Sequence, residues 1–385
     1  MELALWVSTV LVLLTTVLLL KAVLRRNRRK YNLPPGPKSW PIIGNLNLIG
    51  ALPHRSIHEL SGRYGQLMHL RFGSFPVVVG SSVEMAKFFL KTHDVVFIDR
   101  PKTAAGKYTA FNCLDITWSP YNAYWRQARK IFLAELFSTK RLESYEYIRH
   151  EEVQALLCDL HMVCGRVITI REHLFTVNLN VITRMVLGKR YLQLQGKVVP
   201  KGVPVQTPSH FRWLVEELFF LNGVFNVGDL IPWLDWLDLE GYIKRMKKLS
   251  KMFDQLLEYA VEEHNEQRRQ EGKGFVARDM MGVLLQLADD SNHEAKLSRD
   301  NIKAINQDLI AGGTESSTET VECGISELLK KPEVLAKATE ELDCVIGRQR
   351  WVTEGYLESP LPRGHCKRDH APASGRSHAC TSAFP

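Results

Sequence analysis

None of the seven cysteines (Cys113, Cys158, Cys164, Cys323, Cys344, Cys366, Cys380) stands in a CxxC pair. An odd, scattered set without zinc spacing argues against both a zinc module and a disulfide framework, and leaves reduced thiols facing the cytosol as the simplest reading. No internal repeat is present, which excludes solenoids and arrays. Compositional bias is lacking too: with 45% hydrophobic and 24% charged residues, neither a fibrous nor a disordered chain fits. Charge is absent altogether from Leu3 to Leu20, and acids are absent from the next ten residues, which hold Lys21, Arg25, Arg26, Arg28, Arg29 and Lys30. Much of the net charge of +8 therefore sits in one patch. Such a patch fits anionic membrane lipid and does not form a nucleic-acid-binding face, so no nucleic acid is expected as a partner.

What is there begins with that uncharged run of 18 residues. As a helix it spans roughly 27 Å, close to the hydrocarbon thickness of a bilayer. A cleaved signal peptide would carry its cations before the apolar run and a small-residue cleavage site after it, and neither is found. Cations on the carboxyl side place everything after Lys21 in the cytosol. Residues 1–24 are thus read as a transmembrane anchor. Residues 25–45, with Leu33-Pro34-Pro35-Gly36-Pro37 and Trp40-Pro41-Ile42-Ile43-Gly44-Asn45, are read as a basic and proline-rich linker. Proline fixes φ and removes amide donors, so this segment is expected to be a stiff, extended spacer.

Leu67 to Leu70 and Val77 to Val79 read as two short strands around Gly73-Ser74-Phe75-Pro76. Ser81 and Glu84 have capping-box spacing at the start of a helix. Beyond this hairpin the apolar period is helical, most clearly from Leu249 to His264. Polar, Gly- and Pro-rich loops are expected from Gln193 to Ser209 and from Gln270 to Arg278. A helix of about 33 residues is expected from a Ser298 cap to Lys331-Pro332, followed by one that Gly347 ends. The expected fold class is mainly α, an α-dominated α+β architecture with a small sheet near the front.

Inside the long helix lies Ala311-Gly312-Gly313-Thr314-Glu315-Ser316-Ser317. Two adjacent glycines cost about 2 kcal/mol relative to alanine, so something must offset them. Close packing against another helix is one explanation. The other is a locally opened helix whose backbone a small ligand approaches, with Glu315 and Ser316 adding an acid and a hydroxyl suited to passing protons. A second constellation is Trp125 and Arg129, four apart on one helix face. An indole N–H and a guanidinium there can converge on one anion, or the pair is a structural stack.

The glycine-acid-alcohol run resembles the oxygen-activation motif of cytochromes P-450, with Glu315 as the acid, Ser316 as the alcohol and Ala311, Gly312, Gly313 and Thr314 as the oxygen-binding groove. Threonine is the family's usual alcohol, so Ser316 is a departure that keeps the hydroxyl. Trp125 and Arg129 match the WxxxR signature of the haem-facing helix, which implies contacts to the haem propionates; Asn122-Ala123 stand where the family often has Gly-Pro. Phe97-Ile98-Asp99-Arg100-Pro101 is similar to the FxxRP element. These landmarks keep the family's order from Leu33 to about Glu354 and look most like plant A-type members, near the flavonoid 3'-hydroxylase-like branch. The resemblance implies haem as cofactor, NADPH-cytochrome P-450 reductase as partner and a small lipophilic substrate. It also implies an endoplasmic reticulum membrane location with the catalytic part, residues 46–356, in the cytosol.

The family pattern then requires an ExxR helix and a haem loop with a cysteine. Glu146-Tyr147-Ile148-Arg149 and Glu266-Gln267-Arg268-Arg269 match ExxR as strings, but precede the long helix and read as charged helical faces. Cys366 and Cys380 lack the haem-loop surroundings, so the axial haem cysteine is absent and no metal ligand is assigned. His365, Cys366 and His370 fit no standard zinc module. Without a thiolate, the chain as written is expected to be a truncated family member that does not stably bind haem. Residues 357–385 change abruptly in composition and are read as a frame-shifted tail. Synonymous codons for Pro360 to Pro372, read one nucleotide later, spell LYLEAIVKETMR, with glutamate and arginine at ExxR spacing.

Deleting residues 1–30 is expected to move the protein from the microsomal to the soluble fraction. A full-length chain that stays soluble without detergent would rule out the anchor.

Overall fold

The computed structural model describes residues 32–190, 207–289, 296–348 and 352–355, together with 12, 15 and 16. Most of the anchor expected from Leu3 to Leu20, most of the loop expected from Gln193 and nearly all of the tail lie outside these residues. Among the described residues no helix is long and apolar enough to cross a membrane. The chain divides into two compact units between Phe97 and Ile98.

The first unit is built on a hairpin. Helix α1 (Pro53–Tyr64) leads into strands β1 (Leu67–Phe72) and β2 (Phe75–Gly80), followed by α2 (Val83–Lys87) and α3 (Asp94–Phe97). The strands are antiparallel in a register that pairs Phe72 with Phe75 and Leu67 with Gly80. The turn is therefore only Gly73-Ser74, tighter than the four residues expected; Pro76 enters β2, where an edge strand tolerates its missing donor. Met68, Leu70 and Phe72 alternate inward along β1. The proline segment docks on this hairpin: the His69 amide donates to the Pro35 carbonyl at 2.9 Å, and the Asn45 amide to the Arg71 carbonyl at 2.6 Å. Residues 40–44 close into a tight turn, with Ile42 at φ 66°, instead of running on as an extended spacer. Ser82, not Ser81, caps α2 by accepting from the Met85 amide at 3.2 Å.

The second unit is almost wholly helical. It comprises α4 (Ala104–Thr109), α5 (Ala123–Ile131), α6 (Thr139–Glu143), α7 (Glu146–Met162), α8 (Ile170–Leu187), α9 (Pro208–Gly223), α10 (Val227–Leu230), α11 (Tyr242–Glu271), α12 (Met280–Asp289), α13 (Arg299–Lys330) and α14 (Pro332–Val345). Helix α11 buries Met246, Leu249, Phe253, Leu256, Leu257, Ala260 and Val261, one apolar stripe at three- and four-residue spacing. That stripe meets Leu179 and Val186 of α8, Phe211 and Leu214 of α9, and Ile305 and Ile310 of α13 in a single core. Ser298 and Asn301 form a reciprocal capping box at the start of α13, which runs 32 residues. Gly347, at φ +77°, lies just beyond α14. Cys113, Cys158, Cys164 and Cys344 are free thiols.

Two buried charged groups, Glu152 and His264, are paired. Glu152, 1% exposed on α7, accepts from Arg184 at 2.7 Å and Arg190 at 2.6 Å. His264 of α11 is 5% exposed, with Nδ1 2.7 Å from the Ala260 carbonyl and Nε2 3.1 Å from both Asp279 oxygens. Acceptors opposite both ring nitrogens favour the doubly protonated ring. Burial works against that charge, but the Asp279 carboxylate and the Ala260 carbonyl outweigh it and raise the His264 pKa.

Because the folded chain holds this proton more tightly than the unfolded one, the stabilisation is complete below about pH 6.5 and is lost as pH rises through the raised value. The urea midpoint of the detergent-solubilised chain should therefore decline across that window, and decline less in His264→Gln. Equal slopes for the two proteins would contradict the pairing.

Candidate functional site

The two glycines of the long helix have different surroundings. A β-carbon at Gly313 would lie 2.7 Å from Cδ1 and 2.9 Å from Cγ1 of Ile182, so α8 packs directly on the α13 backbone there. A β-carbon at Gly312 would meet nothing within 4 Å. Close packing thus accounts for Gly313, whereas Gly312 lies beside open space. The helix is not broken between them; α13 stays α-helical throughout.

Four hydroxyls on alternate residues of α13 donate back to the carbonyl four residues earlier. These are Thr314 to Ile310 at 2.6 Å, Ser316 to Gly312 at 2.7 Å, Thr318 to Thr314 at 2.8 Å and Thr320 to Ser316 at 2.8 Å. Such back-bonding competes with the helix ladder and bends it slightly. Thr314 and Ala311 are buried, whereas Ser316 is exposed beside Gly312. The predicted groove residues therefore divide: Gly312 and Ser316 share the open face, and Ala311 and Thr314 turn into the core.

Glu315 is oriented differently. Only 9% exposed, it ion-pairs through Oε1 with Arg171 of α8. Arg171 also reaches Glu322 at 2.8 Å and Glu319 at 3.7 Å, so one guanidinium spans three acids of α13. The Glu315 Oε2 is buried and has no hydrogen-bond partner among the described residues. Burial raises the Glu315 pKa, and the Arg171 charge opposes that rise without cancelling it. Acid and alcohol are adjacent in sequence, yet the acid faces α8 and the hydroxyl faces the open side. Arg171 lies 144 residues from its partner and carries no motif, so no linear signal marked it.

Helix α5 is capped by Asn122, whose side chain accepts from the Trp125 amide at 2.9 Å. The departure from Gly-Pro at Asn122-Ala123 thus supplies a good N-cap. The Trp125 indole N–H is not free for an anion: it donates to the Ile116 carbonyl at 3.2 Å. Arg129 lies over the Trp125 ring, 5.4 Å from its centroid, and is exposed. The two converge as a cation–π stack, leaving the guanidinium as the group presented outward. In the FxxRP element, Asp99 accepts from the Tyr121 amide at 3.0 Å, and Arg100 donates to the Thr117 carbonyl at 3.1 Å. Those contacts hold the segment that leads into α5. Of the two ExxR strings, only the second pairs internally: Arg269 binds Glu266 at 3.0 Å, whereas Arg149 binds Glu354, outside its string, at 2.5 and 2.7 Å.

The cytochrome P450 family model matches residues 34–359, and the chain belongs to that family. It is 43% identical over 369 residues to the trimethyltridecatetraene synthase of Zea mays, covering 90% of this chain and 65% of that protein. It is 44% identical over 345 residues to the dimethylnonatriene synthase of Zea mays, covering 86% of this chain and 64% of that protein. With the flavonoid 3'-monooxygenase of Petunia hybrida it shares 39% identity over 343 residues, 87% of this chain and 65% of that protein. The chain thus resembles plant members of the family and spans just under two thirds of the length of these relatives.

Two of the features present suit a haem, an open α13 face at Gly312 and Ser316 and an outward guanidinium at Arg129. Cys366 and Cys380 lie outside the described residues.

Gly313→Ala should lower stability by about 1–3 kcal/mol, because Ile182 must move. Gly312→Ala should raise it by up to about 1 kcal/mol, since only helix propensity changes. Urea unfolding of both variants checks the contrast, and pairing Gly313→Ala with Ile182→Val should recover part of the loss.

Proposed function

We infer that the chain carries the oxygen-activating and haem-flanking part of a plant monooxygenase. Its substrate is a small lipophilic secondary metabolite, its oxidant dioxygen and its electron source NADPH-cytochrome P-450 reductase. The observation that supports this most directly is the Gly312–Ser316 face, where an exposed hydroxyl is held by a carbonyl beside space that no β-carbon fills. The similarity to the flavonoid 3'-monooxygenase of Petunia hybrida points the same way.

Haem, when bound, supplies the iron centre at which dioxygen is reduced. Arg129 is the residue to hold a propionate through a charge-assisted hydrogen bond, and Trp125 orients it from beneath. The Ser316 hydroxyl donates its proton to the Gly312 carbonyl and keeps its lone pairs toward the open side, so it can accept one proton while releasing another. Glu315, buried and drawn toward its neutral form, stores a proton more readily than a surface glutamate does. It serves the open face only after leaving Arg171, which makes that ion pair a brake on delivery.

In the same reading, residues 1–24 anchor the chain in the endoplasmic reticulum membrane and 25–45 link it to a cytosolic catalytic portion, 46–356. Residues 357–385 are a tail read in a shifted frame. A second reading, a family member that does not turn over, rests on Cys366 and Cys380, whose sequence surroundings lack the haem-loop pattern.

The reduced carbon-monoxide spectrum separates the two. The chain as written is expected to show no thiolate-type band, and a transcript shifted by one nucleotide near the Leu357 codon is expected to show one. In that form Ser316→Ala should divert NADPH consumption into peroxide and cut coupled product at least about tenfold, while Arg129→Ala should lower haem occupancy. A thiolate band from the unshifted chain would overturn the second reading.

A further inference from the structure

Two acids that the proposed mechanism does not use meet between α13 and the loop before α5. Asp308 projects from α13, one turn before Gly312, and its Oδ2 accepts the Ile116 amide at 2.8 Å. Asp115, 3% exposed, accepts the Trp118 amide at 2.9 Å through Oδ1. It is next in the chain to Ile116, whose amide Asp308 holds, so the two acids are neighbours in the fold. Among the described residues neither acid ion-pairs with a lysine, arginine or histidine. Their titratable neighbours are Tyr124 of α5, whose hydroxyl donates to the Leu114 carbonyl at 2.6 Å, and Cys113 of the loop itself. Two adjacent carboxylates with no cation repel each other unless one keeps a proton. Burial pushes both acids up, Asp115 to about 6 and Asp308 well above the carboxylate range, the latter also because of the Asp115 charge beside it.

The loop so held is a strained one. Phe111, Asn112 and Cys113 take φ of 48°, 60° and 61° in succession, a left-handed run that non-glycine residues keep only when their surroundings enforce it. Ile116 is bound on both sides of its backbone: its amide by Asp308, its carbonyl by the Trp125 indole.

We propose that Asp308 and Asp115 form an acid–carboxylate latch, sharing one proton, that fixes the 113–118 loop to α13 and through Ile116 sets the position of Trp125. Asp308 donates its hydroxyl proton to the Asp115 carboxylate and keeps its other oxygen for the Ile116 amide. Both are positioning residues: through Ile116 they set Trp125 of α5, over whose ring Arg129 lies. The latch stands without the monooxygenase reading, since its readout needs neither haem nor substrate.

The test is hydrogen–deuterium exchange of the 116–118 amides in the detergent-solubilised full-length chain at neutral pH. Asp308→Asn mimics the protonated acid, as its amide donates to Asp115 and its oxygen accepts from Ile116, so it should exchange within about twofold of wild type. Asp308→Ala should exchange about tenfold faster. An infrared difference spectrum, wild type minus Asp308→Asn, should show the carbonyl stretch of a protonated carboxyl group, lost at alkaline pH. If Asp308→Asn loosens as much as Asp308→Ala, or Asp308→Ala stays as protected as wild type, or the protonated band is missing, the proposal is overturned. Should Asp308→Ala fail to fold by circular dichroism, Asp115→Asn takes its place. That variant donates in the reverse direction and must keep the protection; loss of it overturns the latch equally.

Discussion

Helix α13 approaches α8 so closely that a side chain at Gly313 has no room, and much of the second unit is arranged around that contact. With Ile182 against bare backbone, Asn178 reaches Thr318 at 3.0 Å and Arg171 reaches three acids of α13. The close approach also fixes rotation. Once Thr314 turns into the core, the 100° step between helical residues puts Gly312 and Ser316, two residues before and after it, on the other side. The chemistry-bearing face is in this sense a by-product of packing: the glycine that fits Ile182 determines where its neighbour points.

The same rotation explains why part of the site was legible in the sequence and part was not. The capped long helix, its proline-marked end and the apolar stripe of α11 follow from local rules, and each was visible as a spacing. The hairpin was visible too, although its turn came out shorter because Phe75 and Pro76 pair across instead of forming the corner. A connector of fixed φ was read as extended. Whether it runs on or folds back depends on β1, whose backbone groups recruit Pro35 and Asn45, and nothing in the proline spacing records that edge.

Electrostatic partners were the least legible. Trp125 and Arg129 could be placed on one face, but whether the indole donates to a ligand or to Ile116 depends on a loop that local pattern does not fold. Glu315 could be identified as an acid beside an alcohol, but its cation comes from α8, 144 residues away in the chain. Departures from the family pattern were easier to judge once placed. Asn122 provides a cap that the usual Gly-Pro would form differently, and Ser316 keeps the bond to Gly312 that any hydroxyl at that position makes.

Together the two acidic centres of α13 form a graded arrangement along one helix. Asp308 has no cation and resolves its burial by holding a proton against Asp115. Glu315, two turns further on, has Arg171 and keeps its charge more easily, yet leaves one oxygen unsatisfied. An unsatisfied buried carboxylate oxygen costs free energy until a donor reaches it. That cost is lowest if Glu315 can rotate out toward water or be protonated in place. A fully paired acid at this position would hold the helix more firmly. Asn306 Oδ1 and Gln307 Oε1 of the same helix also lack a hydrogen-bond partner among the described residues, so incomplete satisfaction belongs to this stretch of α13 and not to Glu315 alone.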